Sequence, residues 1–265
     1  MASPYIYDSS GGSTGPTMVT KGPWRETGQR WYIHRSGSDV APGTDRIRPL
    51  ATTAQAVINA AAGDTLIFLE GHSETLAVAQ TLAKALYLVS EGSGSTRAAF
   101  TANGAVAMFD VTSAGVWFEN LYFPQSSVAP TARIRVGAAE CAVLSCDFDC
   151  GALDTGAALK LVTGWGTTRV EGCTFLSTAT AVTAQPLAGI EVANAGNGLW
   201  MVNDTFDGGT VGWSDYAFKM TAAVTRLHAT DLSLLRGSDV FWATGSSGRI
   251  YVKDKSGTAR LVLTA

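Results

Sequence analysis

The chain has 265 residues, of which 46% are hydrophobic and 15% charged, and its formal net charge at pH 7 is −3. The hydrophobic content excludes a chain that is disordered throughout. The absence of a polybasic run in the sequence argues against nucleic acid and anionic membranes as partners. The 29 glycines exceed the usual share of about 7% and favour a repetitive, strand-rich body with many tight turns.

The sequence also bears on the compartment in which the chain folds. No uninterrupted apolar run is long enough for a transmembrane helix, and the N-terminal stretch MASPYIYDSSGGSTGPT lacks the basic and apolar regions of a secretory signal peptide. We therefore expect synthesis in a cytoplasm and thiols at all four cysteines, although a disulfide between stacked coils stays open.

Residues 1–30 are predicted to form an extended flexible arm. The stretch SSGGSTGP (9–16) has the composition of a flexible linker. The segment is either a disordered tail with one edge strand, or an arm that orders on a partner with aromatic side chains as anchors. The candidate partner-binding residues are Tyr5, Tyr7, Trp24, Trp31 and Tyr32.

Residues 31–63 are predicted to contain an N-terminal strand and a capping helix. The helix pattern is PLATTAQAVINAAAG (49–63), in which Thr52 or Thr53 can act as the N-cap and Gly63 as the C-terminal stop. Helical spacing of apolar residues predicts a buried face made of Ala54, Val57, Ile58 and Ala61.

Residues 64–265 repeat a pair of short strand-like segments. One series ends at residues 123, 148, 175, 206 and 232, and a second ends at residues 111, 136, 161, 192, 220 and 243. Each segment alternates apolar and polar residues, as half-buried strands do. Steps of 23–31 residues fit one turn of a stacked, three-sided coil. The prediction is an all-β, right-handed parallel β-helix of about seven to eight coils.

The two series predict which side chains point into the core. One wall should contain the columns Phe109, Ile134, Leu159, Ile190, Phe218 and Val111, Val136, Leu161, Val192, Met220. Another should contain Leu121, Cys146, Cys173 and Phe123, Phe148, Phe175, Phe206, Leu232. A solvated column of partly paired charges should contain Asp110, Arg135, Lys160, Glu191 and Lys219. Asn120, Ser145, Gly172 and Asn203 should share a turn position with left-handed backbone.

We looked for paired carboxylates, because glycoside hydrolysis uses two of them roughly 5–10 Å apart. The candidates are Glu119 with Glu171 and Asp147 with Asp231, each within one column, and the local pairs Asp147 with Asp149 and Asp204 with Asp207. We interpret them as turn and surface residues, since no Arg, Lys or His can be placed beside them from the sequence. The scattered His34, His72 and His228 and the C-x4-C-x3-C spacing do not form a metal motif. We therefore propose no catalytic, metal-binding or cofactor-binding residue.

The segment WYIHRSGSD…AAAGDTLIFLEGHSETL, followed by coils such as GVWFENLYF and TTRVEGCTF, resembles right-handed parallel β-helix proteins of the pectin-lyase-like superfamily. The resemblance covers roughly residues 30–256. It implies the fold but not the function, because this architecture carries lyases, hydrolases, tailspikes and structural proteins. With a Gly/Ser/Thr-rich arm, the chain also resembles structural proteins of tailed-phage virions.

Three functions follow as hypotheses. The first is a homotrimeric decoration, or cement, protein on the capsid exterior that binds the phage major capsid protein through its arm. The second is a tailspike or tail-fibre module that binds, or binds and cleaves, host surface polysaccharide, with stacking by Trp117, Trp165, Trp200, Trp213 and Trp242. The third is a free polysaccharide lyase or hydrolase. The segment RLVL (260–263) is expected to cap the last coil or pair with a neighbouring subunit.

Overall fold

A computed structural model describes residues 28–151, 156–180 and 186–236 in full, together with the main chain of five further strands near the two termini. It contains one helix, α1 (Thr53–Asn59), and a 3₁₀ turn at Gly94–Thr96. The strands are β1 (Tyr5–Asp8), β2 (Thr17–Thr20), β3 (Arg30–Ile33), β4 (Thr65–Phe68), β5 (Ser73–Leu76), β6 (Gln80–Leu82), β7 (Tyr87–Ser90), β8 (Ala99–Ala102), β9 (Ala107–Val111), β10 (Trp117–Glu119), β11 (Tyr122–Phe123), β12 (Ala132–Val136), β13 (Cys141–Leu144), β14 (Asp147–Cys150), β15 (Ala157–Leu161), β16 (Thr168–Glu171), β17 (Thr174–Ser177), β18 (Ala188–Val192), β19 (Gly196–Val202), β20 (Thr205–Asp207), β21 (Phe218–Met220), β22 (Val224–Leu235), β23 (Val240–Phe241), β24 (Gly248–Lys253) and β25 (Ala259–Thr264).

The strands form a three-sided parallel β-solenoid, which confirms the predicted fold class. Sheet 1 stacks β3, β4, β7, β10, β13, β16, β19 and β22, and sheet 2 stacks β5, β8, β11, β14, β17 and β20 before it also joins β22. Sheet 3 stacks β6, β9, β12, β15, β18, β21 and β23. About six turns carry a separate strand in every sheet, slightly fewer than the seven to eight coils expected.

The interior columns predicted for sheet 3 are confirmed. Phe109 pairs with Ile134, and the row continues through Leu159 and Ile190 to Phe218. All five side chains are fully buried, as are those in the column that begins at Val111. The period of two and the near-constant spacing of the segments are sufficient to set this register.

In sheet 2, four phenylalanine rings stack along the solenoid axis. The rings of Phe123, Phe148, Phe175 and Phe206 lie 4.8–4.9 Å apart, centroid to centroid, and within 10° of parallel. This spacing equals the distance between neighbouring strands of a sheet. The column therefore places one identical side chain above the next through successive turns.

The prediction that Leu232 ends this phenylalanine column is wrong. Phe206 pairs with Leu234, whereas Leu232 follows Asp204 in the neighbouring interior column. Asp231 has φ of 56° and takes the turn position of Asn203, with φ of 57°. The repeat after Phe206 is therefore two residues longer than predicted, because it ends at Leu234 and not at Leu232.

The turn between sheets 1 and 2 is built as predicted. Asn120, Ser145, Gly172 and Asn203 all have φ between 51° and 62°. Asn and Gly adopt this left-handed region at the lowest cost. At Asn120 the side chain adds two hydrogen bonds, because Nδ2 donates to the carbonyls of Ser90 (2.9 Å) and Gly92 (2.7 Å).

The capping helix is shorter than predicted and buries a different face. Thr52 is the N-cap, and its side chain accepts a hydrogen bond from the N–H of Gln55. The buried residues of the helix are Thr53 and Ala56, while Ile58 is 69% exposed. Glu74 fixes this orientation, because its carboxylate accepts hydrogen bonds from the main-chain N–H and the hydroxyl of Thr53.

Two further features complete the fold. The segment that contains RLVL belongs to β25, which pairs antiparallel with β24 of the same chain, so the chain itself provides the last strand. Within the described residues, no helix is long and apolar enough to cross a membrane.

Candidate functional site

A small pocket opens on the outer side of sheet 1. Strands β10, β13 and β16 place Trp117, Ala142 and Arg169 in one row that faces away from the core. The pocket has a volume of about 200 Å³, and its walls are Gly115, Trp117, Glu140, Cys141, Ala142, Thr167 and Arg169. Ala142 has only a methyl side chain, which leaves space between its larger neighbours. The Trp117 indole, the Arg169 guanidinium and the Glu140 carboxylate therefore line the same pocket.

Two carboxylates accompany the pocket. Glu119 and Glu171 occupy one outward column with Leu144 between them, as the sequence predicted. Two strand spacings separate their main chains by about 9.6 Å. Tyr87 donates a hydrogen bond to Glu119, and Arg169 forms an ion pair with Glu171. No cation could be placed beside these carboxylates from the sequence, whereas the structure puts Arg169 beside Glu171. Alternation along β16 would have revealed Arg169.

Most of the tryptophans considered for sugar stacking are buried. Trp117, Trp165 and Trp213 are 4–6% exposed, and the Trp165 indole donates a 2.6 Å hydrogen bond to the carbonyl of Asn194. Trp200 is half-buried and lies beside His228 in the outward row of sheet 1. Trp242 lies outside the described residues.

The predicted outward column of sheet 3 is confirmed and is largely paired. Arg135 Nε donates a 2.8 Å hydrogen bond to Asp110 one turn away, and Lys160 Nζ lies 2.9 Å from Glu191. Lys219 pairs with Asp215 of its own turn. Glu191 is more enclosed than expected for a solvated column, since it is only 8% exposed.

A similar set of contacts follows the outer side of sheet 2. Arg97 pairs with Asp147, and the Tyr122 hydroxyl donates a 2.5 Å hydrogen bond to Asp149. Burial, together with this bond to Asp149, raises the pKa of Tyr122 to about 12. Asp147 and Asp231 do not share a column, since Asp231 occupies the turn position described above. Asp147 thus joins turns that are two apart, and Asp149 joins neighbouring turns.

Asp204 and Asp207 do not form the surface pair suggested by their spacing. The Asp204 side chain is fully buried, and its Oδ1 accepts a 2.8 Å hydrogen bond from the N–H of Cys173. Burial raises the pKa of the Asp204 carboxyl well above its usual value. Asp207 instead accepts two hydrogen bonds from Arg236, and this contact lowers its pKa.

The cysteines and His72 are interior residues. All four cysteines are free thiols and buried, as expected. His72 packs against the rings of Phe68 and Phe100, and its Nε2 lies 3.4 Å from Glu74. Within the fully described ranges, no three His, Cys, Asp or Glu side chains are grouped as metal ligands would be.

The candidate arm residues occupy three different settings. Tyr5 and Tyr7 belong to β1, whose main chain alone is described, and Trp24 lies outside the described residues. Trp31 and Tyr32 belong to β3 of sheet 1. The Trp31 indole donates a 2.9 Å hydrogen bond to Asp64, and the Arg46 guanidinium lies 6.0 Å from the centre of the Tyr32 ring.

Comparisons with known proteins support the fold. No protein-family model matches the chain, and no curated protein matches it. Among solved structures the chain is similar to a rhamnogalacturonan lyase, with a TM-score of 0.57 and 14% identity, over 82% of this chain and 62% of that one. A pectate lyase, Pel9A, aligns with a TM-score of 0.34 and 11% identity, over 82% of this chain and 78% of that one.

The chain thus spans less than two thirds of the rhamnogalacturonan lyase. At this level of identity the likeness establishes the architecture alone. The protein is a parallel β-solenoid, similar in architecture to the rhamnogalacturonan lyase.

Proposed function

We propose that this protein is a structural component of a bacteriophage virion. It is a homotrimer on the capsid exterior that binds the major capsid protein and stabilises the head. The observation that carries the proposal is the way its outer carboxylates are used: on all three sheets they bind side chains of the solenoid itself, several of them on another turn, rather than converge on one point.

These connections repeat along the body. Asp110 with Arg135, Glu191 with Lys160, and Asp207 with Arg236 each join neighbouring turns. Each surface ion pair contributes only about 0–1 kcal/mol, so these pairs stabilise the body through their repetition along it. A body stabilised in this manner suits a protein whose task is mechanical.

The same contacts argue against hydrolysis of glycosidic bonds. That chemistry uses a protonated acid of raised pKa and a second carboxylate, both open to the sugar. Burial raises the pKa of the Asp204 carboxyl, as an acid of this kind requires. Asp204 is sealed inside the solenoid, where no sugar can reach it.

The test is the number of copies in purified virions that contain this chain, measured by quantitative staining against the major capsid protein. A decoration protein is expected in hundreds of copies per particle. Light scattering on the purified protein should give three times the 27.6 kDa chain mass. Absence from the particles would overturn the proposal, whereas a few copies per particle would place the chain in the tail.

A second candidate function rests on the Trp117–Arg169 pocket. In this case the chain is a tailspike or tail-fibre module that binds, or binds and cleaves, host surface polysaccharide. The pocket combines an apolar wall with charged groups, which is the usual composition of a ligand site, and the similar rhamnogalacturonan lyase supports the carbohydrate class.

Binding of host surface polysaccharide distinguishes the two candidates. If the pocket binds it, Arg169→Ala should weaken binding at least tenfold, whereas the exposed Arg48→Ala should leave it unchanged. Release of new sugar ends by the unaltered protein would establish cleavage. If neither binding nor release is observed, this second function is excluded.

A further inference from the structure

The corner between sheets 2 and 3 carries an asparagine that is followed by glycine. The sequence contains two such dipeptides, Asn103–Gly104 and Asn197–Gly198. In this dipeptide the main-chain nitrogen of glycine can attack the side-chain carbonyl carbon of asparagine, because glycine has no side chain that hinders the approach. The rate of this attack in a folded protein depends on how firmly the main chain and the amide are held.

At the first dipeptide both reacting groups are open. Asn103 is exposed and lies on the bend, residues 103–106, that joins β8 to β9 outside both strands. Its own N–H donates a 2.9 Å hydrogen bond to the carbonyl of Leu76, one turn earlier. Among the hydrogen bonds of the described residues, none involves the side-chain amide of Asn103 or the N–H of Gly104. The amide can therefore turn toward the glycine nitrogen without breaking a contact.

The second dipeptide is held in place. Asn197 lies within β19 and pairs with Thr225 of β22. Its Oδ1 accepts hydrogen bonds from Thr225 Oγ1 (3.1 Å) and from Arg226 Nε (2.8 Å). The Trp200 ring also covers Gly198, since a Cβ at that position would lie 2.5 Å from the ring. Attack at Asn197 requires the amide to leave both partners, and this slows the reaction.

We propose that Asn103 is a site of spontaneous deamidation in the folded protein and that Asn197 is protected. The Gly104 N–H gives its proton to a base in the solvent, and its nitrogen forms a bond to Cγ of Asn103. The side-chain nitrogen takes up a proton and leaves as ammonia. Water then opens the resulting succinimide at one of its two carbonyls, which gives aspartate or isoaspartate.

The modification changes the charge of the chain and the length of the bend. Each conversion adds one negative charge to a chain whose formal net charge is −3. Isoaspartate also adds a methylene group to the main chain. The bend is anchored on both sides, because the N–H of Asn103 bonds to Leu76 and the carbonyl of Val106 accepts a 3.1 Å hydrogen bond from the N–H of Thr131. The added methylene is thus confined to the bend, and β8 and β9 should keep their register.

Peptide mapping by mass spectrometry tests the proposal. The folded full-length protein is incubated at mildly alkaline pH, because base removes the Gly104 proton, and the conversion of amide to acid is measured at each asparagine over time. Asn103 should convert at least tenfold faster than Asn197. The same protein unfolded in urea is the control, and there both dipeptides should convert at similar rates because neither amide is held. Conversion at Asn103 that is no faster than at Asn197, or that occurs only after unfolding, would overturn the proposal.

Two substitutions act on the two sites separately. Gly104→Ala places a methyl group beside the attacking nitrogen and should slow conversion of Asn103 at least fivefold, while its Cβ would lie 3.1 Å from the Ala77 carbonyl oxygen. Arg226→Gly removes the shorter hydrogen bond to the Asn197 amide and suits the left-handed backbone at that position. It should accelerate conversion of Asn197 and leave that of Asn103 unchanged. Circular dichroism confirms that both variants are folded, and an unchanged rate at Asn103 in folded Gly104→Ala would contradict the mechanism.

Discussion

Asp204 accepts a 2.8 Å hydrogen bond from the main-chain N–H of Cys173, which lies one turn earlier in the same interior column. The N–H of Cys146 is directed in the same way at the sulfur of Cys173. Each of these N–H groups follows a turn residue with left-handed backbone, Ser145 or Gly172. Buried main-chain donors require partners, and this interior row of Cys and Asp side chains supplies them.

The Asp204 carboxyl makes stability depend on pH. Its pKa is raised in the folded protein because burial disfavours the charge, whereas in the unfolded chain it returns to about its ordinary value of 3.8. The stability that it contributes is present in full below the unfolded pKa and is lost as pH rises through the folded pKa. Asp204→Asn keeps an acceptor for Cys173 but removes this loss. The variant should gain stability relative to the native protein as pH rises above about 4, where Asp204 ionises in the unfolded chain, as measured by urea unfolding.

Asp207→Asn is the matched control and should show the opposite sign. The hydrogen bonds from Arg236 lower the Asp207 pKa, so the stability from this group is present above the unfolded pKa and is lost as pH falls through the folded pKa. This variant should be less stable than the native protein at neutral pH and approach it in acid. Parallel pH profiles for Asp204→Asn and the native protein would show that Asp204 does not titrate as proposed.

Arg133 and Arg135 lie two residues apart on β12, and their substitutions should differ strongly in cost. Arg133 is fully buried and donates a 2.7 Å hydrogen bond to the carbonyl of Asp149, whereas the Arg135 side chain is 47% exposed. Arg133→Ala should cost about 3 kcal/mol, from lost hydrogen bonds of a charged group and a cavity. Arg135→Ala should cost at most about 1 kcal/mol. Urea unfolding of both variants measures the difference, and equal costs would contradict the structural role of Arg133.

The sequence was sufficient for the parts of the fold that follow local alternation. The sheet 3 columns that begin at Phe109 and Val111 could be predicted, because a one-residue error in register would turn an entire apolar set outward. The alternating pattern did not predict the column of Leu232 correctly. An apolar residue fits the phenylalanine column and the neighbouring interior column that contains Asp204 equally well. Only the left-handed turn at Asp231 decides between them.

The remaining errors concern residues whose setting depends on other turns. Asp204 was assigned to the surface because it is polar, and only the hydrogen bond from Cys173 explains its burial. The exposure of Ile58 follows from the attachment of Thr53 to Glu74, 21 residues along the chain. The pocket depends on the contrast of Ala142 with Trp117 and Arg169 across three turns. No pattern within a single segment contains this information.

Asn120 and Asn203 share a turn position but should respond differently to glycine. Both have left-handed backbone, which glycine adopts without strain. Asn120→Gly loses the two hydrogen bonds to the carbonyls of Ser90 and Gly92 and should cost about 1–2 kcal/mol. Asn203 is exposed, and Asn203→Gly should change stability by no more than about 0.5 kcal/mol. The free energy of unfolding in urea measures both, and a neutral Asn120→Gly would show that its amide is dispensable.

Thiol counting distinguishes free cysteines from a bond between stacked turns. Cys146 and Cys173 occupy successive turns of one interior column, at a strand spacing that a disulfide can bridge. Burial raises the pKa of the Cys141 thiol to about 12 and that of Cys173 well above its usual value, and the thiol form reacts slowly. A thiol-specific reagent should therefore label the native protein slowly and label all four cysteines after unfolding without reductant. Labelling of only two cysteines in the unfolded protein would establish a disulfide and contradict the free-thiol interior.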